Sequence, residues 1–181
     1  RAESYKGHWL IVEALDALNR RGELKDGLIW EVVGEGDERP ELMQRVAELG
    51  LKPWVKFHGP LSDEALRAAF ARSSIFLMPS FFSINDRGEA SGEGFGIVYL
   101  EAAIAGRASI ACEAGGQSDL IRHNETGWLI PPDSPALAEV LRKLIHTPTL
   151  AKQLGVQARS HALKHFSAQR FDNQLQEALR I

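Results

Sequence analysis

Five short β-rich runs recur along the chain, at residues 28–33, 54–58, 75–78, 108–112 and 128–130, with helical patterns between them. Most are continuously apolar rather than alternating, the pattern of strands covered on both faces. In the first helical pattern Trp9, Val12, Leu15 and Leu18 recur at spacing three. In the second Leu42, Val46 and Leu49 recur at four and three, and Leu66, Ala69 and Phe70 mark the third. Ser62 stands where an N-cap is expected, with Asp63 and Glu64 in the first turn, where the helix dipole favours them. Strands that alternate with helices predict an α/β fold: a Rossmann-like parallel sheet with helices on both faces. After Pro132 the pattern changes. Residues 136–145, 149–165 and 169–179 read as three helices with no further strand, which either pad the sheet or reach over another domain.

A length of 181 residues fits one domain, residues 1–181. The chain opens at Arg1 without a methionine and runs almost at once into a helical pattern, so it is expected to be a piece of something longer. A net charge of -3 gives no general attraction to nucleic acid or to an anionic membrane surface. The single cysteine, Cys112, lies in an apolar run and reads as a small core residue. That usage suits a reducing, intracellular compartment. No apolar run approaches the roughly 18 residues of a membrane span, and no signal-peptide pattern opens the chain.

In open parallel sheets, ligands bind beyond the carboxyl ends of the strands. Here those ends are Gly34-Glu35-Gly36-Asp37, Gly59-Pro60-Leu61-Ser62, Pro79-Ser80 and Glu113-Ala114-Gly115-Gly116. The Gly34-Glu35-Gly36 turn has the start of a dinucleotide fingerprint, but Arg39 stands where its third glycine belongs, so a nicotinamide cofactor is rejected. The stretch Glu93-Gly94-Phe95-Gly96 is more informative. A turn-like loop with Asn85, Asp86, Gly88, Ser91 and Gly92 precedes it. A helix is expected from about Ile97 to Ala105, stopped by Gly106. Backbone amides near Gly96, Ile97 and Val98 would point out of its N-terminus, an anion site suited to phosphate.

Glu101 is the one carboxylate on that helix. Every other residue from Gly94 to Gly106 is glycine, alanine, aliphatic or aromatic, so the helix is expected to be buried. At about 100° per residue, Glu101 falls between the Ile97/Leu100/Ile104 group and the Val98/Ala105 line. A buried carboxylate is costly without a partner. Two partners fit: a neighbouring backbone group or an arginine such as Arg107 or Arg122, or the hydroxyls of a ligand such as ribose.

Glu93 and Glu101, with seven residues between them and Gly94-Phe95-Gly96 after the first, resemble the E-x7-E signature of the large retaining glycosyltransferase family of GT-B fold, glycosyl transferases group 1. Lys6-Gly7-His8 resembles that family's start of the first helix. Val33-Gly34-Glu35-Gly36, Phe57-His58-Gly59-Pro60-Leu61-Ser62, Met78-Pro79-Ser80, Ala114-Gly115-Gly116 and Glu125-Thr126-Gly127-Trp128-Leu129-Ile130 fall in its order. The resemblance covers nearly the whole chain and implies the C-terminal, donor-binding half of a GT-B fold with extra C-terminal helices.

By that resemblance, Lys6 and Glu93 are the catalytic residues. Lys6 reaches the donor diphosphate, and Glu93 accepts from the donor sugar's hydroxyls. The backbone of Gly94, Phe95, Gly96, Ile97 and Val98 holds the phosphates and one edge of the sugar, and Glu101 holds the ribose. The turn from Gly59 to Leu61 lines the base pocket, and Gly36 belongs with the donor-binding residues. The implied reaction moves a hexose from a nucleoside-diphosphate sugar to an acceptor hydroxyl, with retention. The acceptor would be bound by an N-terminal domain absent from this chain, which would also make any peripheral membrane contact. A cytoplasmic location follows, at the inner face of the membrane in the full-length protein.

No Asp-x-Asp motif appears, and the six histidines, His161 and His165 included, give no zinc-ligand set. No cofactor and no metal are expected, and the leaving diphosphate would be stabilised by Lys6 and helix amides. Two departures from the family's pattern stand out. Its upstream phosphate arginine has no clear counterpart, since Arg1 is only five residues before Lys6. The loop 81–92, with Asp86 and Arg87, is also longer than usual. Two other functions are compatible with the fold: a nucleotide-sugar epimerase and a non-catalytic nucleotide-binding module. The chain alone is expected to fold, to bind a nucleoside diphosphate weakly and to transfer no sugar.

Overall fold

A computed structural model describes residues 4–84, 87, 88, 90–167, 170 and 176. In order they form α1 (His8–Arg20), β1 (Trp30–Val32), α2 (Arg39–Glu48), β2 (Val55–Phe57), α3 (Asp63–Arg72), β3 (Ile75–Leu77), β4 (Ser83–Ile84), β5 (Ala90–Ser91), α4 (Ile97–Ile104), β6 (Ala108–Cys112), α5 (Gln117–Leu120), β7 (Gly127–Ile130), α6 (Ser134–His146) and α7 (Pro148–His165). The five expected strands are present as β1, β2, β3, β6 and β7. Ser62 caps α3 as expected, its side chain accepting from the Ala65 amide at 3.3 Å. Of the expected helix at 169–179 only residues 170 and 176 are described, and Asn85 and Asp86 lie outside the described residues.

The five strands run parallel, as the sequence predicts, and among the described residues they pair as two sheets. β1 pairs with β2, and β3, β6 and β7 form a separate sheet in that order. Among the described residues no ladder joins β1 to β3. A cleft of about 660 Å³ lies between them.

Strand β6 shows how the layers are built. All five of its residues are buried. Its period of two sends Ala108, Ile110 and Cys112 into one core and Ala111 into another. The first core gathers Ile11, Val12, Leu15 and Leu18 of α1, Leu42 and Val46 of α2, Leu137 and Leu141 of α6, and Leu154 of α7. The second lies under α4 and holds Tyr99, Leu120 and Ile121. Helices therefore cover both faces, as expected of an α/β chain. Cys112 is a core residue, its Sγ 3.2 Å from the Pro79 carbonyl oxygen. Burial pushes its thiol up to about 12.

The described ends of the loop 81–92 pair with each other. Ser83 pairs with Ser91 and Ile84 with Ala90 as a short antiparallel ladder.

Candidate functional site

Lys6 ends a short 3-10 turn, Ser4–Lys6, just before α1. Gly7 follows with φ of 73°. A Cβ at Gly7 would overlap the Pro79 carbonyl, so only glycine lets this turn lie against the segment after β3. The Phe81 amide donates to the Tyr5 carbonyl at 2.9 Å and ties the two segments. The turn delivers the Lys6 ammonium to Glu93, 87 residues away in sequence, with Nζ to Oε2 at 2.6 Å. Each side chain keeps only 15% of its exposure.

Glu93 is held from the other side by a second close approach. A Cβ on Gly116 would overlap the Gly94 carbonyl and lie 2.9 Å from the Phe95 Cα. The glycine pair Gly115-Gly116 thus lets the turn after β6 lie backbone to backbone against residues 93–95. Beneath it, buried Gln117 donates through Nε2 to the Ser80 carbonyl at 2.9 Å, while Gln117 Oε1 and Ser80 Oγ find no partner among the described residues.

Gly96 is the left-handed N-cap of α4, and no side chain caps this end. The Tyr99 amide turns back to the Gly96 carbonyl at 2.9 Å, and the Tyr99 ring lies under Gly96. The Tyr99 hydroxyl donates to the Met78 carbonyl, and burial raises its pKa. The helix ends at Ile104, with Gly106 in the left-handed region just after it, as expected. An uncapped helix N-terminus beside a lysine can hold an anion. Phe95, exposed beside it, meets Phe166 edge to face with ring centroids 6.3 Å apart.

Glu101 requires a correction. The helix is not buried on all sides: only Tyr99 and Ala102 are fully covered, whereas Ile97, Glu101 and Ile104 are exposed. The desolvation cost that singled Glu101 out therefore does not arise. Neither expected arginine is its partner, since Arg107 donates to the Ala71 carbonyl and Arg122 faces Glu125. Its carboxylate stands on the open, mostly apolar face of α4.

Gly36 and Leu61 lie in the turns after β1 and β2, both half-buried. Among the described residues no hydrogen bond joins them to Lys6 or Glu93. The turns are instead bound to each other: the Gly34 amide donates to the Gly59 carbonyl at 3.2 Å. Arg39 clamps both, donating through one nitrogen to the Gly34 carbonyl at 2.8 Å and to the His58 carbonyl at 2.6 Å. The residue that breaks the dinucleotide fingerprint is thus structural. Its position five residues after Gly34 was visible; its partners were not. Gly116 and Gln117 are further site residues that sequence reasoning did not assign. Among the described residues no three His, Cys, Asp or Glu side chains stand together as a metal site, and no helix is long and apolar enough to cross a membrane.

Fold and site together define a Rossmann-like α/β domain with a lysine–glutamate pair at the mouth of an uncapped helix. Residues 1–161 match the family model for glycosyl transferases group 1, and the chain belongs to that family. It is 34% identical over 151 residues to a D-inositol 3-phosphate glycosyltransferase of Streptomyces scabiei. The match covers 80% of this chain but 32% of that protein, so the chain spans about a third of its relative's length. Among solved structures it resembles Anabaena Alr3699/HepE in complex with UDP and glucose, with TM-score 0.79 and 25% identity over 99% of this chain and 46% of that one. It also resembles the C-terminal domain of a glycosyl transferase group 1 family protein, LpcC, from Francisella tularensis. There the TM-score is 0.74 and the identity 26%, over 93% of this chain and 83% of that one.

Proposed function

We propose that residues 1–181 are the C-terminal, donor-binding domain of a hexosyltransferase that moves a sugar from a nucleoside diphosphate to an acceptor hydroxyl with retention and without a metal. The observation that carries this reading is the Lys6–Glu93 pair, 2.6 Å apart beside the uncapped N-terminus of α4. A donor diphosphate competes for the ammonium and sits on the amides from Gly94 to Val98. Glu93, released from Lys6, then accepts from the sugar's hydroxyls. In the transition state the same ammonium and helix end face the negative charge that grows on the departing diphosphate.

Glu101, on the exposed face of the same helix, takes the ribose hydroxyls; two adjacent hydroxyls suit the two oxygens of one carboxylate. The clamped turns with Gly36 and Leu61 line the base. That a structural neighbour holds UDP and glucose supports the donor class. The acceptor belongs to a domain outside this chain, as does any contact with the inner face of the membrane from a cytoplasmic location.

The test is thermal unfolding of the chain with UDP, GDP and ADP, each with and without a chelator. A nucleotide at about 100 times its Kd adds about 2.7 kcal/mol of stability. No shift with any of the three sinks the donor reading, and a chelator-sensitive shift sinks its metal-free form. Sugar transfer by the chain alone overturns the two-domain reading.

A further inference from the structure

Three successive carbonyls at the end of β3 are each held by a buried side chain from a different element. The Met78 carbonyl accepts from the Tyr99 hydroxyl of α4. The Pro79 carbonyl accepts from the Cys112 thiol of β6 at 3.2 Å, and the Ser80 carbonyl from Gln117 Nε2 of α5 at 2.9 Å. Pro79 and Ser80 are buried past the last residue of the strand, where a carbonyl needs a donor from elsewhere.

The segment fixed in this way is the seat of Lys6. Gly7 lies against the Pro79 carbonyl, and the Phe81 amide donates to the Tyr5 carbonyl at 2.9 Å. These contacts flank Lys6, one residue to either side. Glu93 is seated on a different turn. A Cβ on Gly115 would stand 2.7 Å from the Glu93 carbonyl oxygen, and one on Gly116 would overlap the Gly94 carbonyl. Gln117 is the next residue and the first of α5. Its backbone continues the turn behind Glu93, while its side chain grips the segment that seats Lys6. Tyr99 and Cys112 hold the same segment, but of the three only Gln117 belongs to the turn behind Glu93.

Packing alone does not call for a glutamine here. The side chain is fully buried, and a buried amide is costly unless it is hydrogen-bonded. Methionine has the same unbranched reach and no amide to desolvate. Among the described residues Nε2 has the Ser80 carbonyl and Oε1 has no partner. What the amide contributes is therefore its grip on Ser80.

We propose that Gln117 is a positioning residue: through Ser80 it bolts the turn behind Glu93 to the segment that seats Lys6, and so sets the contact of 2.6 Å between those two side chains. It touches no reacting atom and acts through the pair. The placement of the pair does not depend on the donor reading; the effect on nucleotide binding rests on it.

The test uses Gln117→Met, which keeps the reach and removes the donor, and Gln117→Glu, which can donate to Ser80 only while its carboxyl is protonated. Burial raises a carboxyl's pKa, so Gln117→Glu should behave as wild type at low pH and as Gln117→Met at neutral pH. The first readout is the nuclear Overhauser contact between the ε-methylene protons of Lys6 and the γ-methylene protons of Glu93, compared with wild type at the same pH. It should be present in wild type and lost in Gln117→Met. In Gln117→Glu it should be present at low pH and lost at neutral pH. The second readout is a binding cycle with the tightest of UDP, GDP and ADP. Gln117→Met should weaken that nucleotide about tenfold, the scale of one buried hydrogen bond. In a Lys6→Met background the further loss should be less than about twofold, because a residue that acts through Lys6 is not additive with it.

A Gln117→Met chain that melts earlier yet retains the Overhauser contact makes Gln117 structural only and overturns the proposal. So does a tenfold loss that persists without Lys6. If Gln117→Met does not fold, the two protonation states of Gln117→Glu decide, and a contact that is the same in both overturns the idea. If no nucleotide binds, the donor reading falls, and the positioning role stands or falls on the Overhauser contact alone.

Discussion

Replacing Gly116 by alanine separates contact from backbone strain. Gly116 has φ of -67°, a conformation open to any residue, so alanine adds no dihedral cost. What it adds is a methyl group that overlaps the Gly94 carbonyl and lies 2.9 Å from the Phe95 Cα and 3.0 Å from the Gly94 carbonyl carbon. These are backbone atoms and cannot rotate away. Overpacking of this kind costs about 1–3 kcal/mol. In a chain of this size each kcal/mol lowers Tm by roughly 2–4 °C. Gly94→Ala is the matched control, because a Cβ there meets nothing within 4 Å, and surface changes of that kind stay within about 0.5 kcal/mol. Chemical denaturation and thermal melts without ligand measure both. Nucleotide titration of Gly116→Ala then reports whether displacing residues 93–95 spoils the donor site, and weaker binding is expected. Equal stability losses in the two variants would refute the close-approach argument, whatever the ligand does.

Lys6→Ala should weaken UDP binding far more than uridine binding, because lysine meets phosphate as a point charge; equal losses measured by calorimetry would remove Lys6 from the diphosphate. Glu101→Gln should leave Tm unchanged, because the side chain is exposed. It should weaken nucleotide binding by about 1.5–3 kcal/mol, and unchanged affinity would remove Glu101 from the ribose. His8 gives a pH dependence: burial lowers its pKa from 6.5 to about 4. Its neutral form therefore supports the fold above pH 6.5, and that support is lost as pH falls from 6.5 toward 4. At about 1.4 kcal/mol per pH unit the loss reaches roughly 3 kcal/mol. Urea unfolding between pH 7 and 4 should show it, and His8→Phe should flatten the profile.

Much of the fold was legible because local signals fix it. Ser62 announces its own helix start, Gly106 its stop, and the run from Ala108 to Cys112 a doubly covered strand. Pairing was not legible. A strand's apolar run says which faces are covered but not which edges find partners, so the break between β1 and β3 leaves no mark on either run. The misjudged exposure of Glu101 has a similar origin. Ile97 and Ile104 look like core residues in any periodicity count, and only the packing shows which face of an apolar helix is left uncovered. The candidate site residues were named one by one through the resemblance, yet the contact of Lys6 with Glu93 depends on Gly7 lying against Pro79. The approach of Gly116 to Gly94 likewise joins turns that follow different strands.

The Arg39 clamp has a mechanical consequence. Its planar head is rooted in the first turn of α2 and grips the ends of β1 and β2 at once. With the Gly34–Gly59 bond beside it, the two turns are riveted rather than merely adjacent. Displacing one turn alone breaks charge-assisted bonds to the guanidinium. The pair therefore travels as one lever with α2 as its arm, and whatever presses on either turn meets the stiffness of both.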